Sequence, residues 1–336
     1  MPDNKLNRVV KWDNMKFLLI FCVVIGHISE MYTGNYIWFK RLFLFIYVFH
    51  MPAFLLVSGL FSKKTVKERR FKTIFSYLIL YFVIKILRNG IHYVVYGKGS
   101  FSILSESGVA WYAGVLFAYC IITILVEKVQ WKYALTCAVV LSCFAGYDSS
   151  IGDWLILSRI IVYYPFFLIG YLIDPNKLGE IVKKTSIKVM SGIWLMVITV
   201  LFLSNGEKLY WLRPLLTGRN PYSKLELFSE MGGLLRFIYY FAVITIIFAI
   251  VAIVPNIKLP VLTGIGERSL SVYVFHLCVI DIIWGVVGFG EYMRNNMVGV
   301  TFYIGMFLMA FLIMWLTSLP VFERFMRYLI TPKLRS

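Results

Sequence analysis

KWDNMKFLLIFCVVIGHISE, residues 11–30, is the stretch whose reading decides the fold. Only apolar side chains and one glycine separate Lys16 from His27, so the segment starts a helix that crosses a bilayer. Eleven steps of about 100° bring Lys16 and His27 to nearly the same direction, roughly 16 Å apart along the axis. Asp13, Ile20, Val23 and Glu30 fall near the same stripe. An ionisable stripe is costly against lipid, so it is expected to face the protein interior and to have a use there. A histidine in such a place can also be satisfied by a neighbouring helix, and the spacing does not separate these readings.

The rest of the chain repeats the apolar theme. Of its 336 residues 60% are hydrophobic and 18% aromatic, and the mean hydropathy is +0.78. Apolar runs too long and too uniform for barrel strands recur throughout, which predicts an all-α integral membrane protein. Ten spans are expected, at about 16–34, 39–61, 73–96, 110–127, 132–147, 155–173, 188–204, 236–254, 268–288 and 298–319. Lys85, Arg88 and His92 make the third the weakest. The fifth is short and is expected to form a hairpin with the sixth through YDSSIGD (147–153). The first run lacks a small-residue cleavage site, so it is expected to stay as the first span. The chain is expected to be one membrane domain, 1–336, with no appended soluble domain.

The net charge of +17 sits in short connections between apolar runs, which argues against nucleic acid and for orientation. With the N-terminus inside, more than twice as many of the 34 Lys and Arg side chains lie on the inner segments as on the outer ones. The run KKTVKERRFK (63–72) is the strongest contributor, and both termini are expected to face the cytoplasm. The long outer connection, 205–235, mixes Tyr210, Trp211, Arg213 and Tyr222, a composition suited to sugars or headgroups and equally to an interfacial aromatic belt. The five cysteines lie in apolar runs without metal spacing, and no metal site is expected.

Polar groups inside the spans mark a buried site. His50 stands in FHMPAFLLVSG (49–59), where Pro52 frees carbonyls of the preceding turn and Ser58-Gly59 permits close helix approach. Ser269, Tyr273 and His276 share a face of GERSLSVYVFH (266–276). Arg159 is a cation inside the apolar run SRIIVYYPFFLIGY (158–171). A histidine among cations suits general-base or nucleophilic acyl chemistry, and a cation toward the cytoplasmic end suits a phosphorylated donor. Broken helices and buried charges also fit a transporter or exporter of a small molecule, and composition alone leaves that alternative open.

Four blocks in order resemble the membrane-bound acyltransferase 3 family, especially its fucose 4-O-acetylase-related, nodulation-factor and polysaccharide O-acetylase branch. They are DNMKFLLIFCVVIGH (13–27), FHMPAFLLVSGLF (49–61), SRIIVYYPFFLIGYLI (158–173) and GIGERSLSVYVFHLCVI (264–280), with AWYAGVLFAYC (110–120) as a weaker fifth. The resemblance implies transfer of an acetyl group from cytoplasmic acetyl-CoA to a hydroxyl of a cell-surface or lipid-linked glycan, at the plasma membrane. It implies His27 as the catalytic base or acyl acceptor, with Lys16 standing where much of the family has Arg. Lys lacks the planar bidentate grip of Arg. Donor or acceptor contacts are expected from Asp13, Glu30, His50, Ser58, Arg159, Tyr273 and His276.

Overall fold

In the computed structural model the described residues are 10–99, 101–106 and 108–330. Among them there is no strand, only an isolated bridge between Ser105 and Trp154. The helices in order are α1 (Val10–Met31), α2 (Ile37–Lys67), α3 (Phe71–Tyr96), α4 (Trp111–Leu125), α5 (Trp131–Ala145), α6 (Leu157–Leu172), α7 (Pro175–Lys183), α8 (Thr185–Asn205), α9 (Arg213–Leu216), α10 (Gly232–Ile253), α11 (Pro260–Glu267), α12 (Ser269–Gly285), α13 (Phe289–Asn296), α14 (Gly299–Thr317) and α15 (Pro320–Ile330). A helix overlies each of the ten expected spans. Six are long and apolar enough to cross a membrane, and eight if the bent pairs α6–α7 and α11–α12 each count once. At 15 residues each, α4 and α5 are shorter than the ~20 residues a bilayer asks for. The orientation residues Lys5, Arg8, Lys333 and Arg335 lie outside the described residues.

Helix α2 is the centre of the bundle, packed against α1, α4, α6, α8 and α10. Around it, α3, α8 and α14 turn most of their apolar surface outward, as lipid-facing helices do. One close crossing is between α2 and α6. A Cβ added at Gly59 would overlap the carbonyl of Phe167, and one added at Gly170 would overlap the carbonyl of Leu56. Both obstacles are backbone, so the axes approach only because neither position has a side chain.

The two intrahelical prolines behave differently from the sequence expectation. Pro52 deprives the Val48 carbonyl of its helical donor, but Tyr239 on α10 donates to that oxygen at 3.1 Å. Pro165 does the same to Ile161, whose oxygen accepts from Ser142 on α5 at 2.7 Å. Neither carbonyl is left for a ligand: neighbouring helices close both sites, as hydrocarbon surroundings require.

Charges within α3 are likewise turned inward. Lys85 is buried, 3.2 Å from Glu106, and also donates to Tyr81 and to the Ser105 carbonyl. Arg88 pairs with Asp281 of α12. At the other end of the bundle, Asn14 donates to the carbonyls of Pro255 and Ile257 and accepts from Thr263 at 2.6 Å. These bonds fix the start of α1 against the α10–α11 connection.

The outer connection folds back onto the bundle. Arg213 reaches Glu30, and Tyr222 is buried, with Gly146 and Gly232 leaving room for its ring. Lys40 lies over the Tyr210 ring at 4.5 Å. These contacts hold the outer connection against one end of the bundle.

Candidate functional site

Two cavities meet along α1. The larger, about 500 Å³, is walled by Val23, His27 and Glu30 of α1, Tyr47, His50 and Met51 of α2, and Arg88, His92 and Tyr96 of α3. Trp111, Arg159, Tyr163, Arg219, Tyr273 and Asp281 complete its polar and aromatic lining. The smaller, about 190 Å³, is walled by Lys16, Ile20, Phe54, Ser58, Phe61, Ser62, Tyr77, Tyr112 and Ser269 among others. Val23, Met51 and Tyr273 line both. The common stripe of Lys16 and His27 is therefore divided between two chambers, with Val23 on the boundary.

His27 is held by a chain of contacts. Its Nδ1 lies 3.8 Å from Glu30 Oε2, one turn along the same helix. Glu30 accepts from Tyr47 at 3.1 Å and from Arg213 at 2.9 Å. A carboxylate beside Nδ1 favours the proton on that nitrogen and leaves the lone pair on Nε2. Glu30 is itself oriented by α2 and by the outer connection, so the imidazole depends on three parts of the chain.

Two further imidazoles stand near. His276 packs against His27 with ring centroids 5.4 Å apart. Its Nδ1 lies 3.0 and 2.9 Å from the carbonyls of Val272 and Tyr273, and its buried Nε2 has no hydrogen-bond partner. His50 bonds through Nδ1 to the Ile46 carbonyl at 2.8 Å, and its ring meets Tyr47 at 4.8 Å. A carbonyl can only accept, so in both rings Nδ1 carries the proton and Nε2 presents a lone pair.

Arg159 is locked into the wall of the larger cavity. Its guanidinium donates to the Glu106 carbonyl at 2.9 Å, lies 3.4 Å from Asp153 and sits over Trp111 at 5.0 Å. Asp153 also pairs with Arg219. Tyr273 donates to the Val109 carbonyl, which fixes its ring at the boundary of the chambers.

In the smaller chamber Lys16 pairs with Asp13 at 2.6 Å. Ser58 donates to the Phe54 carbonyl and accepts from Tyr112 at 2.6 Å. Asp13 and His276 stand behind the walls instead of on them. Every other catalytic, donor or acceptor residue expected within the spans lines a chamber: Lys16 and Ser58 the smaller, His27, Glu30, His50 and Arg159 the larger, Tyr273 both; Tyr210, Trp211, Arg213 and Tyr222 of the outer connection line neither.

Sequence reasoning missed the Arg88–Asp281–His92 cluster, in which His92 lies 3.2 Å from the same carboxylate. Arg88 and His92, one turn apart in an apolar run, looked only like weakness in a span. Asp281, the one acid in the SLSVYVFHLCVIDIIWG segment, was the available signal. Among the described residues no three His, Cys, Asp or Glu side chains converge as metal ligands would.

A family model described as an acyltransferase domain matches residues 9–319. Two proteins named nodulation protein NolL are similar over shorter stretches. The one from Sinorhizobium fredii (strain NBRC 101917 / NGR234) is 36% identical over 69 residues, 19% of each chain. The one from Mesorhizobium japonicum (strain LMG 29417 / CECT 9101 / MAFF 303099) is 36% identical over 73 residues, 21% of this chain and 20% of its own. The match thus spans about a fifth of the length of these relatives. No solved structure matches the chain.

Proposed function

As the chain belongs to the acyltransferase family whose domain model spans residues 9–319, we propose that it moves an acetyl group from cytoplasmic acetyl-CoA to a hydroxyl of a cell-surface or lipid-linked glycan at the plasma membrane. It is a membrane-embedded O-acyltransferase. The finer reading rests on one observation: two chambers meet at Val23, Met51 and Tyr273, with Lys16 on one and His27 on the other.

With ten spans and the N-terminus inside, the Lys16 chamber faces the cytoplasm and the larger one the exterior. Lys16 offers an ammonium to the phosphates of the donor, and the apolar walls beyond it suit the pantetheine arm. The thioester carbonyl arrives at the boundary, within reach of His27. The His27 lone pair attacks the carbonyl carbon, the C–S bond breaks, and the thiolate leaves toward the cytoplasm. Glu30 steadies the cationic imidazole that results. The glycan enters the outer chamber, where Tyr47, Tyr96, Trp111 and Tyr163 offer faces for sugar rings and Arg159, Arg219 and Asp281 offer hydrogen bonds. An acetyl group then crosses the bilayer while CoA stays on its own side.

The test is mass spectrometry of surface glycans from cells with the intact gene, a deletion, and a His27→Ala complement. The expected result is loss of one acetyl per repeat in both the deletion and the variant. A fully acetylated glycan in cells expressing His27→Ala at normal abundance would overturn the assignment.

A further inference from the structure

We infer that His50 is a second catalytic base, which takes the proton of the acceptor hydroxyl when the acetyl group leaves His27. The inference rests on the acyl-His27 reading above and adds a residue to it. Once Nε2 of His27 carries the acetyl group, that nitrogen has no lone pair, and its Nδ1 proton is held toward Glu30 at 3.8 Å. The acceptor's proton needs another destination.

The chain has three other histidines, and hydrogen bonding sorts them. His276 has a bare Nε2, but the atom is enclosed and the residue lines neither chamber. His92 lies beside Asp281, in a cluster already occupied by Arg88. His50 lines the chamber that also holds His27 and Glu30. Its Nδ1 is committed to the Ile46 carbonyl at 2.8 Å, so the lone pair is on Nε2. Its ring is fixed against Tyr47 at 4.8 Å, and the Tyr47 hydroxyl reaches Glu30 at 3.1 Å. The Ile46 carbonyl thus sets the tautomer of His50, and Tyr47, which also reaches the Glu30 beside His27, fixes its ring.

The step balances without a further reactant. The acceptor oxygen attacks the acetyl carbonyl carbon and forms the ester C–O bond. The C–N bond to His27 breaks, and its electron pair returns to Nε2. The hydroxyl proton passes to Nε2 of His50, which becomes a cation with both nitrogens protonated. It returns that proton to water in the chamber before the next cycle.

The experiment separates the half-reactions in purified full-length protein in lipid nanodiscs. Exchange of labelled CoA into acetyl-CoA reads acylation of His27. Acetyl transfer to hydroxylamine reads deacylation by a nucleophile that attacks without a base. Acetyl content of surface glycan in complemented cells reads the complete reaction. His50→Gln is expected to keep exchange and hydroxylamine transfer within about twofold of the parent. Its glycan acetylation is expected to fall at least about 100-fold, the usual range for a lost general base. His27→Ala is expected to lose all three. A fall in all three for His50→Gln, or no change in any, overturns the role of His50 alone. Exchange that survives in His27→Ala overturns the acyl-His27 reading, and this inference with it.

Discussion

Gly170→Ala tests the crossing on which the site is built. The new methyl would overlap the carbonyl oxygen, carbonyl carbon and Cα of Leu56, all backbone, so no rotamer change relieves it. To reach ordinary contact the axes of α2 and α6 must separate by roughly 1.5 Å. Overpacking of this kind costs about 2 kcal/mol. At about 2 °C per kcal/mol for a chain of this size, the midpoint of thermal unfolding in detergent should fall by about 4 °C. Gly59→Ala meets Phe167 and Tyr171 backbone across the same crossing and should cost a similar amount. One separation accommodates both methyls, so the double variant should lose about 2–3 kcal/mol rather than the full sum. Activity should fall more than stability suggests. His50 lies nine residues, or roughly 14 Å, before Gly59 on α2, and displacement of a reacting group by about 1 Å can reduce rate about 100-fold. Thermal scans of the two singles and the double, with glycan acetylation in parallel, read both effects. Unchanged midpoints in the singles, or fully additive losses in the double, would refute the shared-crossing argument.

Three further perturbations address the polar contacts. Lys85→Met leaves Glu106 buried without its cation and should destabilise by about 3–5 kcal/mol, whereas Lys85→Met with Glu106→Leu should recover most of that in thermal unfolding. Arg213→Ala should lower acetylation about tenfold through Glu30 with little change in unfolding midpoint, because the pair is half-exposed and worth under about 1 kcal/mol; a cooperative loss of fold would argue for a structural role instead. Lys16→Arg should keep activity within about threefold and Lys16→Ala should raise KM for acetyl-CoA about tenfold or more, measured in membranes at saturating acceptor, if charge in the smaller chamber is what grips the donor.

Period and composition were enough to place a helix under each expected apolar run, because an apolar run in a bilayer has few alternatives, but only six to eight of the described helical units are long and apolar enough to span. The interruptions were not legible. Lys85, Arg88 and His92 weaken α3 on any local reading, yet α3 runs unbroken from Phe71 to Tyr96. Their partners Glu106 and Asp281 lie on other segments, and Asp281 is 193 residues from Arg88 in sequence. A hydropathy window cannot register such pairing. The near-right-angle bends, 85° before α7 and 84° before α12, were equally hidden, since hydropathy carries no direction. The Lys16–His27 spacing did place both side chains on one stripe. It could not show that Met51 of α2 and Tyr273 of α12 come between them and divide that stripe into two chambers.

The distribution of satisfied and unsatisfied groups separates scaffold from chemistry. In hydrocarbon an unpaired polar group costs several kcal/mol, so each one is closed or has a reason to stay open. The carbonyls freed by Pro52 and Pro165 are closed by Tyr239 and Ser142. The charges of α3 are closed by Glu106 and Asp281. Among the described residues, six enclosed side-chain atoms have no hydrogen bond, and four of them are Nε of Arg41, Arg213, Arg236 and Arg268. Of the other two, Asp153 Oδ1 lies 3.4 Å from Arg159 and is still neutralised by it. Only Nε2 of His276 is a neutral acceptor with nothing to accept, and its ring lies against His27. That lone pair is wasted while His27 is neutral and becomes favourable once the neighbouring ring gains charge. Glu30, already bonded to Tyr47 and Arg213, also gains from charge on that ring. An acceptor left open in the resting protein and satisfied by charge on the neighbouring imidazole is what the acyl transfer proposed for His27 would require.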